Sequence, residues 1–253
     1  MAEQGIAAPV YALAAVAGEE GEDIAQRSGA AYYLAQACDV IMGLPDGQVC
    51  VACLRRSDVR DVLLATDEAV HLENRSRRLH IAAVGAHRGA GLWHFFPEAA
   101  TVDVCDWTVA VEGLLTGLHE AILAPLDLVK SAGYAHLVVQ RMNPTHWLPA
   151  PGQGICLLLA PEGTAPLPML HHRPTWAEWE TEQAFAKYVS TTTAALPLTL
   201  AMAWGEQMIL YAGLLAADGR YLHRDSAEGP LAGRHDLALQ LARRMCDELL
   251  HRF

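Results

Sequence analysis

Between Leu79 and Ala132 the chain alternates strand-like apolar runs with helix-length segments. "LHIAAVG" (79–85), "ATVDVC" (100–105) and "EAILAP" (120–125) read as strands, with helices expected over 86–95, 107–116 and 126–132. Strands separated by helices define βαβ units, whose crossovers set neighbouring strands parallel, so the expected class is α/β with a largely parallel sheet. Further strands are expected before this unit at 10–16, 31–37, 48–54 and 60–65, with an acidic helix start at 19–23.

The stretch "LPAPGQGICLLL" (148–159) sets a stiff Pro- and Gly-bearing loop before an apolar run, the pattern of a loop feeding a buried strand. Gly152 and Gly154 permit either a sharp turn or a close approach of something to the backbone, and the residues alone leave both open. After a Pro-rich linker at 160–170 the pattern changes. "TWAEWETEQAFAKYVS" (175–190) reads as a helix with a Thr cap and early acids. "QMILYAGLLAADGRYLHRD" reads as two strands joined at Asp218-Gly219, a hairpin signal. The final segment puts Leu237, Leu241, Met245 and Leu249 on one helical stripe beside Ala238 and Ala242. A small α+β module thus ends the chain.

With 253 residues, 52% of them hydrophobic, and a net charge of −11, the composition is that of an acidic globular protein. That charge argues against a nucleic-acid partner or an anionic membrane surface, both of which draw on clustered Lys and Arg. No apolar run reaches the roughly 18 residues needed to cross a bilayer. The first residues lack the basic region of a secretory signal, so a cytoplasmic location is expected. The six cysteines sit mostly among apolar neighbours, and Cys50-x-x-Cys53 lies in an alternating strand with no second pair and no adjacent His. Among twelve histidines only His171 and His172 adjoin, so no metal site is expected.

Five stretches, in order, carry a resemblance to the hydroxymethylbilane synthase (porphobilinogen deaminase) family. They are "LAQACDVIMGLPDG", "VCVACLRRSDVRDVLLA", "GLHEAILAPLDLVKSAGY", "LPAPGQG" and "TEQAF", and the resemblance runs from about Ala30 to the C-terminus. It implies two periplasmic-binding-protein-like lobes plus a small C-terminal αβββα domain. The implied division is residues 1–55 with 146–165 as a first lobe, 56–145 as a second and 166–253 as the C-terminal domain. The family's first strand–helix unit has no evident counterpart, so the first lobe is expected to be truncated. The edge so exposed invites a protein partner or a second copy to complete it.

The family joins four porphobilinogen molecules head to tail, losing ammonia each time, on a dipyrromethane tethered to a cysteine. By this resemblance Asp39 falls on the catalytic aspartate, with Val40, Pro45 and Gly47 in register; a turn or helix-capping aspartate is the plain alternative. Arg88 and His87 stand where the family binds substrate carboxylates, and Gly152, Gln153 and Gly154 would face the pyrrole chain. Other positions depart from the pattern. Cys38 replaces a Lys, and Cys105, Trp107 and Val111 stand near a lost Arg, Asn and Arg. Trp107 there suits an apolar or flat ligand, or simply fills the cleft. Thr193 and Ala194 lie nearest the tethering cysteine, so no cofactor attachment, and hence no dipyrromethane, is expected. The ligand implied is a small pyrrole-like or carboxylate molecule. Three readings follow: a non-canonical hydroxymethylbilane synthase-like enzyme of tetrapyrrole chemistry, a catalytically inactive homologue acting as a ligand-binding or partner subunit, or a fold reused for something unrelated.

Overall fold

The computed structural model describes residues 32–73, 78–98 and 100–251, and three sheets organise them. The strand expected at 10–16 and the helix start at 19–23 lie outside the described residues. In the first sheet, β1 (Tyr33–Gln36) and β2 (Gln48–Cys53) flank β8 (Cys156–Pro161), all antiparallel. The apolar run of 156–159 is indeed a buried strand. Leu157 and Leu159 pack with Trp179 on one face, while Leu158 and Ala160 pack with Val51 and Ala52 on the other.

The second sheet runs in the order β5-β4-β6-β3-β7, using β3 (Asp61–Leu64), β4 (Leu79–Val84), β5 (Ala100–Cys105), β6 (Ala121–Pro125) and β7 (Val138–Arg141). Helices α1 (Ala86–Phe95) and α2 (Trp107–Thr116) make the two crossovers, so β4 lies parallel to both β5 and β6. The largely parallel sheet read from the sequence needs correction, because β3 pairs antiparallel with both β6 and β7. The reason lies in the chain's route. β3 brings the backbone in from the first sheet and β7 takes it out again, so these two neighbours run oppositely. α2 starts at Asp106, whose side chain accepts from the Val109 N–H at 2.9 Å, and stops at Gly117 in the left-handed region (φ 77°). A short α3 (Leu126–Ser131) follows β6. The two crossover helices cover opposite faces of the sheet: Leu92 of α1 packs with Ile81 and Ala83, while Ala110 and Leu114 of α2 pack with Ala82 and Ile122.

The third sheet is an antiparallel meander of β9 (Leu196–Trp204), β10 (Gln207–Leu215) and β11 (Leu222–Pro230). One face carries α4 (Arg173–Thr192) and α5 (Arg234–Leu250). The stripe expected on α5 is buried at Ala238, Leu241, Ala242, Met245 and Leu249, with Leu237 at its margin. Each large side chain of that stripe contributes about 1.5–3 kcal/mol by leaving water. The opposite face seats Leu198, Leu200 and Leu215 against Ala90 of α1 and Leu148, which ties this sheet to the second. Among the described residues no helix is long and apolar enough to cross a membrane.

Candidate functional site

The segments linking the first two sheets, 54–61 outbound and 142–155 returning, meet in one polar junction. At its centre is Asp61, the first residue of β3, which is 1% exposed. Its Oδ1 accepts from Arg88 Nε at 2.9 Å and from Gln153 Nε2 at 2.8 Å, while Oδ2 accepts from the Trp147 indole N–H at 2.9 Å. Burial alone would raise the Asp61 pKa, but Arg88 and His87 with these donors outweigh it and hold the carboxyl below its usual range. Arg88 is equally committed. Its Nη1 donates to the Val84 carbonyl at 2.6 Å and its Nη2 to Gln153 Oε1 at 2.7 Å. Gln153 closes the set by donating also to the Val59 carbonyl at 2.8 Å.

A second buried ion pair adjoins this one. Arg56, between β2 and β3, donates Nη1 to Glu182 of α4 at 2.7 Å and Nε and Nη2 to the Gln153 carbonyl at 3.1 and 3.0 Å. Glu182 is fully buried and also accepts the backbone N–H of Gly152 at 2.6 Å and of Ala201 at 2.7 Å. All three sheets are therefore pinned at Gly152-Gln153-Gly154. The close approach that glycine permits at 152 is to this chain's own backbone. With φ at +78°, a Cβ there would fall 2.8 Å from the Ala37 carbonyl carbon and the Cys38 nitrogen. Gly154 has φ +75°, and its carbonyl accepts both the N–H and the hydroxyl of Ser57 at 2.8 and 2.9 Å.

Against Gly152 rests the turn that carries Cys38 and Asp39. Asp39 is exposed and its Oδ1 accepts from the Cys38 thiol at 3.7 Å, yet the walls around it desolvate the carboxyl enough to raise its pKa. Burial pushes the Cys38 thiol up to about 12, with Asp39 adding to the rise and Arg88 opposing it. His87 lies beside Arg88. Burial and that guanidinium lower its pKa to about 3, and its buried Nε2 has no hydrogen-bond partner among the described residues. It borders a cavity of about 10 Å³ with Phe95, His146 and Trp147, room for one water at most.

Of the residues singled out in the sequence, Gly152, Gln153, Gly154, Arg88 and His87 are brought together, with the Asp39 turn against them. Trp107 is not. It starts α2 and meets Tyr134 edge-on at 5.8 Å, packed on the face of the second sheet opposite α1. Asp61, Arg56, Trp147 and Glu182 were not anticipated. Two of them carried a signal: Asp61 heads a run of four buried residues, and Glu182 shares a helical face with Trp179, Phe185 and Ala186. A separate cluster arises from distant positions: His80 of β4, Asp103 of β5 and His119 before β6, although no metal ligands were expected.

These features define a mixed α/β protein in which three sheets are joined at a buried ionic junction. No protein-family model matches the chain. It is similar to curated proteins named porphobilinogen deaminase. One from Desulfosudis oleivorans is 28% identical over 185 residues, covering 70% of this chain and 59% of that protein. A probable porphobilinogen deaminase from Methanocella arvoryzae is 24% identical over 206 residues, covering 79% and 67%. One from a Synechococcus species is 26% identical over 213 residues, covering 81% and 67%. The chain thus spans from 59 to 67% of the length of these relatives. Among solved structures, the periplasmic VFT2 domain of BvgS from Bordetella pertussis aligns with a TM-score of 0.32 at 14% identity, over 57% of this chain and 61% of that one.

Proposed function

We propose that the chain is a hydroxymethylbilane synthase-like protein of pyrrole chemistry that works without a covalently tethered dipyrromethane. The similarity to porphobilinogen deaminases supports the first part of this reading. The second rests on the residues present. No cysteine occurs between 157 and 245, and the Thr193 hydroxyl, at the end of α4, is turned to the Val189 carbonyl at 3.3 Å. A neutral hydroxyl is a far weaker nucleophile than a thiolate.

The observation that sets the chain apart from a standard hydroxymethylbilane synthase, and so carries the non-canonical reading, is the commitment of Arg88. All three of its nitrogens donate inside the protein and the residue is 6% exposed, so holding a substrate carboxylate would mean breaking a buried pair with Asp61. The same observation favours a second reading, an inactive homologue whose cleft holds a small pyrrole-like or carboxylate ligand, or a partner. In the first reading Asp39, exposed on the turn beside Gly152, is the proton-handling group.

Incubation with porphobilinogen, read by intact mass and by a scan of the supernatant for bilane or porphyrin, tests this. An unmodified mass is expected in every case. Soluble product that disappears in Asp39→Asn supports the enzyme, and no product supports the inactive homologue. A stable pyrrole adduct on the protein would overturn the untethered reading.

A further inference from the structure

Three chemistry-bearing side chains meet on the second sheet, well separated in sequence and absent from the junction described above. β4 lies between β5 and β6; β4 contributes His80, β5 contributes Asp103, and the turn that leads into β6 contributes His119. Ala82 is the register partner of Asp103, and His80 shares the face of Ala82 by the two-residue alternation of a strand. That is the α2 side, whereas Arg88 stands on α1 at the other face. His80 Nε2 lies 2.7 Å and His119 Nε2 3.1 Å from the same carboxylate oxygen, Asp103 Oδ2. One ligand atom from each residue falls within 4.8 Å of the others, and among the described residues this is the one such group of three.

We infer that His80, Asp103 and His119 form a binding site for a divalent transition-metal ion, with two imidazoles and one carboxylate as ligands. The donor set suits borderline-soft ions such as zinc or cobalt, which take imidazole nitrogen and carboxylate oxygen at about 2.0–2.2 Å. Tetrahedral ligands at that distance stand about 3.3 Å apart, so the two nitrogen–oxygen separations of 2.7 and 3.1 Å have to widen by roughly half an ångström or less, and the three ligand atoms already lie within 4.8 Å of one another. The ion takes the place of the two imidazole protons that point at Asp103, and each neutral ring moves its proton from Nε2 to Nδ1. Burial grades across the site. The His119 side chain is 2% exposed, that of His80 32% and that of Asp103 51%, so the ion would have protein on one side and solvent on the other. An open coordination position toward water follows from that geometry.

Helix α2 makes room for this arrangement. A Cβ on Gly113 would fall 2.0 Å from His119 Nδ1, so only glycine admits the ring in its present place. That same Nδ1 is buried and has no hydrogen-bond partner among the described residues. A ligating histidine usually gives its second N–H to an acceptor, and lacking one weakens affinity by about 10- to 100-fold. The site is therefore expected to bind zinc in the micromolar rather than the nanomolar range.

The test is calorimetric titration of the chelator-treated 253-residue chain with zinc alone at neutral pH, repeated with cobalt while visible absorption is followed. One ion per chain and tetrahedral-type cobalt bands are expected. The half-exposed positions supply the variants, since His119 is in the core. His80→Gln and Asp103→Asn should each weaken binding by at least about tenfold, and the double variant should abolish it. Metal-free denaturation midpoints of variants and wild type establish that the fold is intact. No saturable zinc binding by folded wild type, or unchanged binding in the folded double variant, would overturn the site.

Discussion

Arg88 Nη2 donates to Gln153 Oε1 at 2.7 Å, although 65 residues separate them in the chain, and the two side chains also donate to Asp61 Oδ1, through Arg88 Nε and Gln153 Nε2. The carboxamide fits because it can donate to Asp61 and accept from Arg88 at once, which neither a carboxylate nor an ammonium group could do.

Replacing Gln153 by Ala is therefore expected to cost about 2–3 kcal/mol, since it leaves a buried guanidinium N–H and the Val59 carbonyl unsatisfied around an intact ion pair. Urea denaturation measures this. Gln153→Glu should do worse, because it sets a second carboxylate against Asp61. A loss below about 0.5 kcal/mol for Gln153→Ala would mean that water replaces the side chain without penalty.

Glycine at 152 and glycine at 163 share a left-handed backbone, φ +78° and +86°, but differ in surroundings. Among the described residues nothing lies within 4 Å of a Cβ at 163, so Gly163→Ala should cost only the backbone strain of about 1 kcal/mol. At 152 the new methyl meets backbone atoms of Ala37 and Cys38 at 2.8 Å and the 37–39 turn must move. Gly152→Ala should exceed its counterpart by about 1–3 kcal/mol. Equal losses from the two variants would remove close packing as the reason for glycine at 152.

The pH dependence of stability should carry the signature of His87. Its folded pKa lies near 3, against an ordinary 6.5, so between those values the unfolded chain binds a proton that the folded chain refuses. This contribution is constant above the ordinary value, and it weakens the fold progressively as pH falls below it. Between pH 6.5 and pH 5 the expected loss is about 1–2 kcal/mol, at 1.36 kcal/mol per unit. In His87→Leu the slope over that interval should flatten by this amount. An unaltered slope would show that His87 is protonated in the folded protein.

Thiol reactivity should separate sharply between native and unfolded chain. Burial lifts Cys38 and Cys53 to about 12 and Cys50 to about 11, so thiolate is scarce near neutral pH. Iodoacetamide followed by peptide mapping should label all three rapidly in denaturant and slowly without it. Rapid native labelling of Cys38 would instead mark it as an activated thiol beside Asp39.

Local chemistry decided which parts could be read from the sequence. The helices expected over 86–95 and 107–116 have those limits in the structure, and at the second the cap residues Asp106 and Gly117 mark both ends. β9 was not read from its residues because it does not alternate: Leu198 to Ala201 are buried consecutively between α4 with α5 on one side and α1 on the other, and Pro197 near its start mimics a loop. β7, three half-buried residues followed by an exposed Arg141, has too little pattern to register. Strand direction is not encoded in periodicity, which is why β3 and β7 overturned a parallel sheet. At the junction, the glycines, Gln153 and Arg88 were legible as chemistry, but their partners were not. Asp61 and Glu182 acquire their roles only when 92 and 30 residues of intervening chain bring them to the 152–153 loop. His80, Asp103 and His119 likewise have no motif spacing; the sheet's strand order alone collects them.

The pairing of β3 with β7 reaches beyond this one molecule. Val62 and Arg141 are register partners, so the whole second sheet with its helices leaves and re-enters the rest of the chain at one hydrogen-bonded doorway. A segment whose two ends are neighbours can be excised, transplanted into another loop or opened elsewhere by permutation without stretching its host. Residues 61–141 thus begin and end side by side, and a break placed elsewhere within them would leave the host chain's two ends where they already meet.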